Sequence, residues 1–90
     1  MRIARQYIIS GRVQRVGFRY FTQAAASRES LDGWVSNRPD GTVEAAVAGE
    51  ADAVDRFERA IRRGPDGARV DRVDVHSLPA VAPGTGFHIR

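Results

Sequence analysis

Cysteine and lysine are both missing from the sequence. Without cysteine there is no disulfide, no thiolate metal site and no thiol nucleophile. The absence agrees with a reducing compartment. No apolar run approaches the roughly 18–20 residues of a membrane span. The opening residues, Met1-Arg2-Ile3-Ala4-Arg5, lead straight into strand-like sequence, without the apolar stretch and cleavage site of a signal peptide. The expectation is a cytoplasmic chain that does not engage a membrane. Only two histidines occur, His76 and His88, with no acidic pattern beside either, so no metal site is expected.

What the chain has instead is arginine. All 14 basic residues are of this type, against 11 acids, for a net charge of +3 and a pI of about 10.5. Arginine presents a planar fork of donors that matches phosphate and carboxylate, and a positive field favours anionic ligands. Most of these arginines are read as solvated surface. The 90 residues suffice for one domain, spanning residues 1–90. Apolar residues at 42% and charged residues at 28% are ordinary for a globular protein.

Residue patterning predicts the elements. Arg5 to Ser10 reads as a strand, rich in aromatic and β-branched residues. Gly11 to Arg19 shows neither helical nor strand period and holds two glycines, so it reads as a loop. Tyr20 to Leu31 reads as a helix, with Phe21, Ala24, Ala25 and Arg28 on one face. Trp34 to Asn37 reads as a strand, Arg38-Pro39-Asp40-Gly41 as a turn and Thr42 to Ala48 as the returning strand. In the latter, Val43, Ala45 and Val47 share one face.

Glu50 to Arg63 is the clearest helix, with an apolar stripe of Val54, Phe57 and Ile61 beside Ala60. Asp52/Arg56, Asp55/Arg59 and Glu58/Arg62 are spaced for i, i+4 pairing, and Gly64-Pro65 stops the helix. Arg69 to Leu78 reads as a strand, Pro79 to Gly86 as a loop and Phe87 to Ile89 as a short terminal strand. The order βαββαβ, with two right-handed crossovers, predicts an α+β ferredoxin-like sandwich: an antiparallel sheet with both helices on one face and a short extra C-terminal strand. This fold hosts unrelated functions and decides none.

Chemistry points to the segment between the first strand and the first helix. A loop entering a helix N-terminus offers free backbone N–H groups and the positive end of the dipole. Gly17 permits close backbone approach, and Arg19 at the junction can direct its fork at the same anion. Taken alone, Arg19 is also one more surface arginine, and Asn37 a residue suited to opening the turn. Trp34, Phe18 and Phe21 read as core residues, and Asp40-Gly41 as turn chemistry.

Val13 to Arg19, V-Q-R-V-G-F-R, resembles the first signature of the acylphosphatase family. Gly33 to Glu44, G-W-V-S-N-R-P-D-G-T-V-E, resembles the second. The downstream G-P-D-G-A-R-V-D-R-V and the terminal G-F-H-I-R are similar to the family's ending, so the resemblance covers nearly the whole chain. It implies hydrolysis of acyl phosphates, which are carboxylic–phosphoric mixed anhydrides, to carboxylate and phosphate. It implies Arg19 and Asn37 as catalytic residues. Backbone N–H groups of Arg15, Val16, Gly17, Phe18 and Arg19 would form the phosphate-binding loop. Inorganic phosphate or other anions would act as product or inhibitor, no cofactor or metal would be needed, and a monomer is the default.

The sequence departs from the family pattern at Arg15, where the signature reads glycine. If φ is positive there, arginine is strained by about 1–2 kcal/mol; its guanidinium alternatively adds attraction for phosphate. The expectation is an active enzyme with altered affinity or rate. A second departure, Glu29-Ser30-Leu31 for Leu-Gly-Leu, replaces a natural left-handed cap and an apolar contact and predicts a weaker helix end.

Two other readings remain open. One is a non-catalytic or regulatory anion-binding module, as in acylphosphatase-like domains at the front of larger proteins. The start at Met1 and the end just after the last strand favour a free-standing enzyme. The other is an RNA-binding module, which the absence of an aromatic platform in Val43-Glu44-Ala45-Ala46-Val47 opposes. No nucleic-acid partner is expected.

Overall fold

Alternating burial along the strands builds the sheet. In the computed structural model, which describes residues 1–79, 84 and 86–90, the element order is β1 (Arg2–Arg12), α1 (Phe18–Arg28), β2 (Asp32–Asn37), β3 (Val43–Glu50), α2 (Ala51–Arg63), β4 (Arg69–Leu78) and β5 (Phe87–Ile89). The sheet order is β4-β1-β3-β2-β5. β1 pairs antiparallel with β3 and β4, β2 antiparallel with β3, and β5 parallel with β2. The sheet is therefore mixed only at its short terminal strand. The architecture is the expected α+β ferredoxin-like sandwich.

Register puts Tyr7 opposite Ala45, Ile9 opposite Val43 and Val35 opposite Ala45. All of these are buried on the face that meets the helices. α2 contributes Ala53, Val54, Phe57, Ala60 and Ile61 to the same core. The Phe57 ring sits between Tyr7, at 5.7 Å, and Phe87, at 6.2 Å. The Tyr7 hydroxyl donates to Glu58 Oε1 at 3.1 Å. Burial, reinforced by the Glu58 charge, raises its pKa and keeps it protonated.

Several element bounds differ from the sequence reading. β1 runs from Arg2 to Arg12, longer than Arg5 to Ser10, because β3 and β4 flank it on both sides. α1 begins at Phe18 rather than Tyr20, since Gly17 as N-cap adopts φ 78° and turns the chain into the helix two residues earlier. That shifts the buried stripe to Phe18, Thr22, Ala25 and Ala26. Ala24 and Arg28, expected to share one face with Phe21 and Ala25, are exposed.

The helix ends at Arg28, not Leu31. Ser30 takes φ 57°. The Leu31 and Ser30 N–H groups donate back to Ala26 and Ser27 carbonyls at 2.9 and 3.1 Å, a Schellman closure with serine in glycine's place. Glu29 gains an ion pair in place of the missing apolar contact, accepting from Arg56 Nε of α2 at 2.8 Å. Of the three expected i, i+4 pairs, Glu58/Arg62 forms, whereas Arg56 reaches Glu29 and Asp55 is taken by Arg5 across the interface with β1.

Asp32-Gly33 opens β2. Gly33, at φ 143°, lies so close to Ala46 that a Cβ there would collide with its carbonyl oxygen. Asp32 ties down the far end of the chain: its carboxylate accepts the Gly84 and Gly86 N–H groups, each at 3.0 Å, and Arg2 at 3.3 Å. Most of the expected 79–86 loop, residues 80–83 and 85, lies outside the described residues. No helix of the described residues is long and apolar enough to cross a membrane.

Candidate active site

The loop between β1 and α1 is held at both ends by apolar anchors. β1 shifts register against β4 between Ser10 and Gly11, and the chain then leaves the sheet. Val13 and the Phe18 ring are both buried. Between them two residues, Arg15 at φ 64° and Gly17 at φ 78°, are left-handed and turn the backbone sharply. The Arg15 backbone is thus of the kind that its sequence position raised as a question. The first α-helical bond runs from Phe21 N–H to the Gly17 carbonyl at 3.0 Å. The N–H groups of Arg15, Val16, Gly17, Phe18 and Arg19 donate to no acceptor among the described residues. No acid occupies the first turn of α1 and no side chain caps it, so the positive end of the helix dipole is uncompensated.

Arg19 rides on that first turn, half-buried. Asn37, exposed, is the last residue of β2. A cavity of about 220 Å³ brings both together, lined by Val13, Arg15, Gly17, Phe18, Arg19, Tyr20 and Asn37. Val16, expected in the same loop, packs its side chain against the core and contributes none of the lining.

Asn37 does not serve the adjoining turn. Backbone bonds from Arg38 N–H to the Thr42 carbonyl, at 2.9 Å, and from Gly41 N–H to the Arg38 carbonyl, at 3.1 Å, close it. Asp40 supplies its side-chain support by accepting from the Thr42 N–H and hydroxyl. Those two Thr42 bonds, the hydroxyl's first, lower the Asp40 pKa. The Asn37 amide and the Arg15 and Arg19 guanidiniums have no side-chain hydrogen bond or ion pair among the described residues.

Two lining or positioning residues escaped the sequence reading. Gln14 donates both amide hydrogens, to the Arg38 carbonyl at 2.8 Å and the Thr42 carbonyl at 2.9 Å. It clamps the loop to the β2–β3 turn and so sets Arg19 against Asn37. Its place inside V-Q-R-V-G-F-R was the available signal. Tyr20, 68% exposed, forms one wall; an aromatic at the solvent end of a helix start gives little in sequence to mark it.

The lining is rich in donors and holds no carboxylate. It suits a small anion and offers no general base. Among the described residues no three His, Cys, Asp or Glu side chains come together to hold a metal ion. A larger depression of about 290 Å³ lies on the sheet face away from the helices, between Ala4, Trp34, Ala46, Ala48 and Leu78. It is almost wholly apolar, and its one charged group, Asp32, is already engaged, so it lacks what anion chemistry requires. Trp34, expected in the core, stands instead on this open face, half-buried, with the Arg90 guanidinium 4.2 Å from its ring centre. The parity of β2 decides this, since Val35 takes the inward position. His76 and His88 are exposed on β4 and β5.

A family model described as Acylphosphatase matches residues 5–89. An acylphosphatase of Acidiphilium cryptum is 53% identical over 83 residues, covering 91% of each chain. The crystal structure of acylphosphatase from Bacillus subtilis superposes with a TM-score of 0.94 at 36% identity, over 98% of each chain. Full-length HypF in its phosphate- and nucleotide-bound form matches the whole of this chain with a TM-score of 0.90 at 33% identity, over 12% of its own length.

Proposed function

This chain belongs to the acylphosphatase family and is an enzyme that hydrolyses acyl phosphates; from that premise we propose that the reaction takes place in the cavity between the β1–α1 loop and the end of β2. The observation that carries the reading is that one small space is lined by Arg15, Gly17, Phe18 and Arg19, whose backbone N–H groups are unused among the described residues, together with Asn37, whose amide is unengaged there.

An acyl phosphate carries a good leaving group, so the protein's task is positioning and charge stabilisation. The N–H groups of Arg15, Val16, Gly17, Phe18 and Arg19 bind the phosphate oxygens at the helix N-terminus. Arg19 adds a bidentate contact and offsets the charge that builds on the transferring group. Asn37 donates to or accepts from the attacking water and holds it in line with the leaving oxygen. The water oxygen forms a bond to phosphorus, and the bond from phosphorus to the acyl oxygen breaks. Acyl oxygen leaves as carboxylate, and a phosphate oxygen takes the water's proton, since Asn37 cannot act as a base. The single-domain organisation, the cytoplasmic setting and inhibition by inorganic phosphate belong to the same reading.

The test is hydrolysis of benzoyl phosphate in EDTA by the wild-type protein, Arg19→Ala and Asn37→Ala. Loss of one preorganised donor of this kind lowers turnover by about 10²–10³-fold, and each variant is expected to fall at least that far while remaining folded by circular dichroism. Wild-type rates in both variants would remove these residues from the mechanism. Phosphate binding without turnover in the wild type would make the chain a non-catalytic anion-binding module.

A further inference from the structure

Two arginines line the cavity, Arg19 half-buried and Arg15 exposed. Arg19 is half-buried on the first turn of α1, beside the five free N–H groups. Arg15 is exposed yet lines the same space, which places it at the mouth. Tyr20, also exposed, stands at that mouth as an apolar wall. With the phosphoryl group seated on the inner donors, the acyl chain of the substrate leaves past these outer residues. No acidic residue lines the cavity to neutralise Arg15, and it forms no ion pair among the described residues. Eight other arginines, by contrast, engage a carboxylate or a ring: Arg2, Arg5, Arg38, Arg56, Arg62, Arg69 and Arg72 pair with acids, and Arg90 stacks on Trp34.

We propose that the Arg15 guanidinium selects acyl phosphates bearing a second negative charge, a carboxylate or phosphate, on the acyl chain, while Tyr20 covers the apolar part of that chain. The assignment rests on the cavity being the seat of acyl phosphate hydrolysis. A planar guanidinium meets a carboxylate through two parallel hydrogen bonds. At a solvent-exposed mouth that contact is modest and sensitive to salt.

The experiment compares kcat/KM for benzoyl phosphate with that for 3- and 4-carboxybenzoyl phosphate, in the wild type, Arg15→Gln, Arg15→Lys and Arg12→Gln. The measured quantity is the ratio of the carboxylated to the plain substrate. Intrinsic reactivity of each anhydride cancels when ratios are compared between proteins, as does any general effect of altering the loop. For at least one isomer the ratio is expected to fall about fivefold in Arg15→Gln, the scale of an exposed charge pair. Arg15→Lys, which retains the charge, should keep most of the preference. Arg12→Gln removes the same charge from an exposed residue outside the cavity lining and should leave the ratio unchanged.

A ratio unaltered in Arg15→Gln for both isomers, in a protein that still hydrolyses benzoyl phosphate, overturns the assignment and leaves the hydrolytic reading standing. An equal fall in Arg12→Gln overturns it too, since general attraction would then explain the preference. Failure of the folded wild type to hydrolyse any of the three substrates defeats both.

Discussion

Gln14→Leu isolates the one contact that sets the two halves of the site against each other. Gln14 spans from the loop to the β2–β3 turn with two hydrogen bonds of 2.8 and 2.9 Å. Both partners are carbonyls, so the amide must present its NH₂ group to them. Leucine keeps the bulk and removes both donors. The turn itself survives, because the Arg38 carbonyl still accepts from Gly41 and the Thr42 carbonyl from Arg38. Each lost bond is worth about 1 kcal/mol net, so stability should fall by about 1–2 kcal/mol, leaving the chain folded. The larger effect is on geometry. Asn37 sits at the foot of the turn, and without the clamp its distance from the loop is no longer fixed. Misplacement of a reacting group by about 1 Å costs roughly 10²-fold in rate. The N–H groups of the loop and Arg19 do not depend on Gln14 for a hydrogen bond. The prediction is a kcat lowered about 10–100-fold with the inhibition constant for inorganic phosphate changed less than about twofold. Steady-state kinetics with phosphate as inhibitor, beside a urea melt, measures both. A phosphate constant that weakens in step with kcat would show that Gln14 shapes the cradle itself, and an unchanged kcat would show that the clamp positions nothing.

Ser30→Gly should stabilise the chain, since φ 57° strains serine by about 1–2 kcal/mol and glycine's extra freedom in the unfolded chain returns only about 0.5–1 of that. A thermal melt is expected to rise by about 3–5 °C, and no rise would refute the strain argument. Asp32→Asn should destabilise by about 1 kcal/mol at pH 7 through its weakened bonds to Gly84, Gly86 and Arg2. The Gly84 N–H, ahead of Gly86 and Arg2, lowers the Asp32 pKa below its ordinary 3.8. Its contribution is therefore complete above about pH 4 and is lost as pH falls through the lowered value. The gap between variant and wild type in urea melts should be constant near neutrality and narrow as pH falls through the lowered value; a gap that widens in acid would contradict this.

Much of the fold was legible because its two periods are clean. α2 alternates acids, arginines and apolar residues at helical spacing, and β3 alternates Val43, Ala45 and Val47 with outward residues, so both were placed within a residue or two. Local sequence carries less where tertiary context rules. Phe18 and Gly17 start α1 early because a core exists to receive the Phe18 ring. Trp34 reads as core by its size, yet the parity of β2 gives that place to Val35. The salt bridges of α2 go to other elements because Arg5 and Glu29 come within reach only on folding. Arg19 and Asn37 were legible as candidates through two signatures 18 positions apart, and the structure brings them to one cavity. Gln14 was not, because its partners are backbone carbonyls, which have no letter in a sequence.

Among the described residues, the two non-glycine residues with positive φ flank α1 and differ in what their side chains do. At Ser30 the strain is a plain loss of stability, since glycine would make the same backbone bonds with less cost. At Arg15 the same backbone cost comes with an exposed residue that lines the cavity and pairs with no acid among the described residues. An arginine paired within the fold would contribute to stability and be unavailable to a ligand. Left unpaired, it contributes nothing until an anion arrives, and then its interaction adds to binding alone. Strain in the free protein and attraction in the complex are thus separate terms, and replacing Arg15 by glycine relieves the first while removing the second. This separation distinguishes Arg15 from Ser30 despite their nearly equal φ angles.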